Sequence, residues 1–253
     1  MTVLKGYSPN YYYFQFHLVI RDASQLVVII CGTLHARRKG MLMKCEDTAC
    51  YLCKGTENLT RDHIPPLNLF PKESRKNLIT VPCCKECNEA FSKVDEQFRV
   101  FITAAANVSP TGTRMWREKV VGSTFQRSPA LERQMGKDVF RGEMQTADGP
   151  VAVPLIAIDK SVLNPFFIRI TKGLLATFYP AVDNGNLVFH IQQLNQFGGQ
   201  HPTFQTLKKI LVEDERGNGV FRFWRGTAID KPGAGVWIYQ FYDAGMFMVK
   251  HEP

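Results

Sequence analysis

Cys50-x-x-Cys53 and Cys84-x-x-Cys87 are separated by thirty residues, and Asp62, His63, Asn77 and Asn88 stand between and beside them. Two knuckles of this kind can each bring a pair of thiolates to one tetrahedral metal, and four thiolates suit structural zinc. The other side chains suit a different task. An imidazole titrates near neutral pH and can take a proton from water. A carboxylate and an amide oxygen are hard ligands, matched to magnesium or manganese. Taken singly, each has an ordinary explanation: an Asp-His turn, a turn asparagine, a helix-terminal cap. Their order around two matched knuckles is what points to a site. Cys83 could replace Cys84 through a register slip, but Cys84 has the knuckle spacing to Cys87; Cys45 is a weaker spare.

The elements that must hold these residues can be read from the local pattern. In "NLTRDHIPPLNLF" the apolar positions are Leu59, Ile64, Leu67 and Leu69, and Pro65 and Pro66 stop any helix. Asp62 and His63 therefore fall at the end of a short strand or on the loop after it. "NLITVP" is β-branched and apolar, a second strand. After Cys87 the spacing changes: Phe91, Val94, Phe98, Phe101 and Ile102 form the stripe of an amphipathic helix, with Glu89 and Lys93 as an i,i+4 surface pair. The predicted order is knuckle, strand, loop, strand, knuckle, helix.

Cys50/Cys53, Asp62-His63-Ile64-Pro65-Pro66, Asn77-Leu78 and Cys84/Cys87-Asn88 together resemble the zinc-knuckled form of the HNH endonuclease family, over roughly residues 45–105. "FPKESRKNLITVPCCKECN" is similar to HNH proteins of bacterial and phage genomes. The resemblance implies a ββα-metal finger that hydrolyses phosphodiester bonds in DNA. It implies His63 as general base, Asn77 supplying a carbonyl that aims His63, and Asp62 and Asn88 holding a catalytic magnesium or manganese ion. Some relatives carry a second histidine one helical turn after the last motif residue; here that position is Ser92. Oxygen ligands then favour magnesium over zinc in the catalytic site. Asp95, two turns after Asn88, reads as a solvated helix acid. Arg61, Lys72, Arg75, Lys76 and Lys93 are candidate phosphate contacts. A non-catalytic zinc module that binds nucleic acid is the alternative function.

The whole chain sets wider bounds. Its 253 residues, 45% hydrophobic and 21% charged, are ordinary for a globular protein with a real core. No apolar run reaches the length of a membrane span. The net charge is +8, but residues 1–45 hold +5 of it, so the charge supports a polyanionic partner only mildly. Seven cysteines, an odd number, argue against a disulfide scaffold. "LVVIICGTL" has the length of a signal-peptide core, yet "HARRKG" follows where small residues should precede cleavage. The expectations are strands in this region or an upstream extension ending near Met41 or Met43, and a cytoplasmic protein. The division expected is an N-terminal segment (1–44), the finger (45–107), a connector of mixed charge with a short helix at "ALERQMGKDVF" (108–150) and a small α+β domain (151–253). In the last, "FFIRITKGLLATFYP" reads as a helix amphipathic through Phe167, Ile170, Leu174 and Phe178, and "NLVFHIQQL" as a strand. "GVFRFWRGTAID" and "GVWIYQFYDAGMFMVKH" read as paired antiparallel strands whose alternating aromatics form core rather than a base-stacking platform.

Overall fold

The computed structural model describes residues 11–13, 48–106, 109–146, 149–194, 202–228 and 230–253. The expectations for "LVVIICGTL", for an internal start at Met41 or Met43, and for Cys45 lie outside the described residues. The class is α+β.

β1 (Tyr11–Tyr13) pairs with the long strand that precedes the main helix. β2 (Leu59–Ile64) and β3 (Ile79–Cys84) form an antiparallel ribbon in which Leu59 faces Cys84 and Ile64 faces Ile79. β-branched Thr60, Ile64, Ile79, Thr80 and Val81 favour this pleated pairing. Helices α1 (Lys85–Ala90) and α2 (Ser92–Ala105) follow at once. The single helix expected after Cys87 is thus two, broken at Phe91. The break separates Glu89 from Lys93, and Glu89 instead lies 3.8 Å from Lys85 on its own helix.

Residues 110–138 are more ordered than a connector. α3 (Pro110–Met115) is capped by the Ser109 side chain and runs into a π-helical stretch, Trp116–Thr124. Val120 and Phe125 are buried there against Val100 of α2. The sequence hid this packing because the segment's mean pattern is polar and its apolar contacts lie on another element. α4 (Pro129–Asp138) is the short helix expected at "ALERQMGKDVF". β4 (Val139–Thr146) and β5 (Gly149–Asp159) complete a three-stranded sheet in the order β1-β5-β4.

α5 (Lys160–Phe178) is the central helix. Its N-cap is Asp159, whose side chain accepts a hydrogen bond from the Ser161 N–H at 2.7 Å. Leu163, Phe166, Phe167, Ile170 and Leu174 form its buried stripe; of the residues the spacing named, Phe167, Ile170 and Leu174 are in it and Phe178 is half-buried. Behind it lies a five-stranded antiparallel sheet, ordered β6 (Val188–Leu194), β10 (Gly245–Glu252), β9 (Gly235–Phe241), β8 (Phe221–Thr227), β7 (Val212–Arg216). α6 (Pro202–Lys208) covers part of it: Phe204 and Leu207 share a small apolar cluster with Trp224 and Ile238.

The aromatics of these strands are core, as expected: Phe221, Phe223, Trp237, Tyr239, Phe241 and Phe247 are buried. Phe98 of α2 stacks on Phe166 of α5 and meets Phe241 edge-on. One continuous core therefore joins the cysteine-bearing ribbon to the C-terminal sheet. α5 approaches the ribbon at Gly173, where a methyl group would lie 2.7 Å from Ile64 Cγ1. A side chain at that position would push the helix off the strand that carries Asp62 and His63.

Candidate functional site

The four knuckle cysteines converge. Cys50, Cys53, Cys84 and Cys87 place their sulfur atoms within 4.8 Å of one another, a group that could hold a metal ion. The first pair sits on a turn closed by backbone bonds between Cys50 and Gly55 and from Lys54 to Cys50. The second spans the end of β3 and the first turn of α1. Amide N–H groups of Gly55 and Cys87 donate to the sulfurs of Cys53 and Cys84, both at 3.4 Å. Burial disfavours the Cys50 thiolate, but bonds from backbone N–H groups of Cys53, Cys84 and Leu52 outweigh it and bring its pKa down to about 6. Cys83 stays outside the group. It is fully buried, 3.9 Å from Cys50 Sγ, and burial pushes its thiol up.

Strand alternation then sends Asp62 and His63 to opposite faces of the ribbon. Asp62, like Ile64, faces the core and is 3% exposed. His63 shares the other face with Arg61 and is half-buried; the residue directly across the ladder is Thr80. Burial lowers the His63 pKa, and the Arg75 cation adds to this against the opposing pull of Asp62. The imidazole is therefore neutral at pH 7 and able to accept a proton. Asn77 does not meet it. Asn77 sits in an exposed turn beyond the end of the ladder with φ of 58°, and no hydrogen bond links it to His63 among the described residues.

The largest departure from expectation is Arg169 on α5, a residue that carried no signal in the sequence. It is 2% exposed and its guanidinium lies among oxygen atoms of the first knuckle, β2, α1 and α2. Nη2 donates to Asp62 Oδ1 at 2.6 Å and to Asn88 Oδ1 at 3.3 Å. Nε donates to Asp62 Oδ2 at 3.1 Å and to the Tyr51 hydroxyl oxygen at 3.3 Å. Nη1 donates to both oxygens of Asp95, at 2.7 and 2.6 Å. Phe91 covers the guanidinium, with its ring centroid 4.9 Å away. Asp95 is thus no solvated acid: it is 7% exposed, and burial raises its carboxyl to about 6 even beside Arg169. The sequence spacing put Asp95 two turns after Asn88 on one helix, but the two lie on separate helices, and it is the fold that brings both to Arg169 of α5.

Tyr51 ties the two centres together. It lies inside the first knuckle, and its hydroxyl donates to Asp62 Oδ2 at 2.9 Å. Asn88 is held from the other side, its amide donating to Thr60 Oγ1 at 3.4 Å.

These contacts decide whether a magnesium or manganese ion fits the expected place. The donor chemistry is right, since a carboxylate and an amide oxygen converge from a strand and a helix. The space is taken, because both oxygens already converge on Arg169 Nη2. A divalent ion does not fit there while Arg169 is seated.

Of the expected phosphate contacts, Arg61, Lys72, Lys76 and Lys93 are exposed. Arg75 is half-buried and donates from Nε to the Phe70 carbonyl at 3.1 Å. No helix among the described residues is long and apolar enough to cross a membrane. No family model, curated protein or solved structure matches this chain.

Proposed function

We propose that the finger is a nucleic-acid site of the HNH type, with zinc on Cys50, Cys53, Cys84 and Cys87, and that its His63 face hydrolyses phosphodiester bonds in DNA. In this reading Cys50–Asn88 with the following helices is a ββα-metal finger. The observation that carries the reading is His63: a neutral, half-exposed imidazole on the basic face of a ribbon whose far end is tied by four cysteines.

The chemistry follows from that face. His63 takes a proton from a water molecule as its oxygen bonds to phosphorus; the P–O bond to one sugar oxygen breaks, and that departing oxygen takes a proton from solvent. Arg61 beside His63, with Arg75 near it and Lys72 and Lys76 on the adjoining turns, lowers the energy of the charge that develops on the phosphate oxygens. Asp62 and Asn88 act on the opposite face, where they fix α5 and α1 to the ribbon.

The filled cation place favours a second reading, a zinc module that binds nucleic acid without cutting it. Plasmid nicking measured beside a DNA-binding titration separates the two. Under the first reading His63→Ala binds DNA like the parent protein and cuts about a hundred- to ten-thousand-fold more slowly. Equal cleavage by the folded variant, or binding with no cleavage by the parent, sinks the nuclease reading; the latter outcome leaves the binding module.

A further inference from the structure

We propose that Arg169 is the resident cation of this finger: its guanidinium occupies the place of a divalent ion on Asp62 and Asn88 and excludes that ion while α5 is packed on the ribbon. The donor count argues for this directly. An arginine carries five N–H groups and accepts nothing. Here they are spent on Asp62, Asp95, Asn88 and Tyr51, with none directed to solvent. The guanidinium is thus saturated by the finger and does not reach out to a phosphate.

The charge argues the same way. Two buried carboxylates and an amide oxygen, from β2, α2 and α1, surround one delocalised cation. A bidentate guanidinium satisfies such oxygens in fixed geometry. A divalent ion would have to compete with it for the same lone pairs, and repulsion between the two cations among buried side chains disfavours joint occupancy. Gly173, one turn further along, lets α5 lie close against Ile64, so the backbone that carries Arg169 is packed on the ribbon.

The inference goes beyond the nuclease reading and does not depend on cleavage, so metal uptake is measured separately. The probe is Mn²⁺, titrated into the zinc-loaded full chain and followed by the electron paramagnetic resonance of the free ion. The parent protein and Asn88→Ala should take up the same amount of Mn²⁺. Arg169→Ala should bind one Mn²⁺ at least about tenfold more tightly than the parent, in the usual range of coupling between competing occupants. Arg169→Ala/Asn88→Ala should lose that gain. Folded Arg169→Ala without added affinity would overturn the proposal. So would a Mn²⁺ site in the parent protein that Asn88→Ala removes, and that comparison stands even if Arg169→Ala fails to fold. Mn²⁺ uptake by Arg169→Ala without DNA cleavage would uphold the resident cation and count against the nuclease reading.

Discussion

Single residues of the cysteine-bearing ribbon take their roles from the face they occupy. Asp62 and His63 are neighbours in sequence, yet one is sealed with Arg169 and the other looks outward beside Arg61. Asn77 makes the same point. The resemblance assigns its side-chain carbonyl to His63, while the structure gives it a turn with φ of 58°, a conformation that asparagine and glycine tolerate best. The two roles predict different variants. If the turn conformation is what matters, Asn77→Gly keeps the folding stability and the cleavage rate of the parent. Asn77→Ala then loses about 1–2 kcal/mol of stability through its left-handed backbone. Urea unfolding and single-turnover cleavage of both variants check this; a large rate loss in folded, stable Asn77→Gly would restore the side chain to the chemistry.

At the level of elements, the first knuckle positions more than its two sulfur atoms. Its turn places Tyr51 under Asp62, so the cysteine group and the Arg169 cluster share one short segment. Metal binding and folding are coupled at such sites because the unfolded chain has no preformed ligand set. Purified protein should therefore carry about one zinc ion per chain. Cys53→Ser or Cys87→Ser should lower both zinc content and melting temperature. Chelation should in addition increase amide exchange in Tyr51–Cys53 and in β2 before the C-terminal sheet opens. Folded protein without zinc would contradict the assignment, and uniform exchange would contradict the link through Tyr51.

Across the whole molecule, the core that runs from the ribbon to the five-stranded sheet makes stability a shared property. His251 on β10 reports on it from far outside the finger. It is 2% exposed; Nδ1 lies 2.7 Å from the Gly233 carbonyl and Nε2 is buried with no partner among the described residues. Burial lowers its pKa below the ordinary 6.5, against the pull of the Gly233 carbonyl. Below that ordinary value the unfolded chain binds a proton that the folded chain resists. The stabilisation is therefore complete above about pH 6.5 and lost as the pH falls through the depressed folded value. The urea midpoint should drop between about pH 7.5 and about pH 5.5, and His251→Gln should flatten that drop. An unchanged slope in the variant would assign the acid sensitivity to other groups.

Local pattern sufficed for much of this protein. Matched spacing brought Cys50, Cys53, Cys84 and Cys87 together, because a knuckle is built from contiguous residues. Periodicity marked β2, β3, α5 and the aromatic strands, because a buried face imprints its repeat on the chain. Tertiary structure decided which carboxylates are free. Asp95 read as a solvated helix acid and Arg169 carried no signal, since an ion pair across 74 residues leaves no periodic trace. Whether Asp62 faces a metal or a guanidinium depends on where α5 lands, and α5 is set by Gly173 against Ile64 and by Phe98 against Phe166. Those contacts are distant in the chain and close only in the fold, which is why the cation at the centre of this finger could be identified only there.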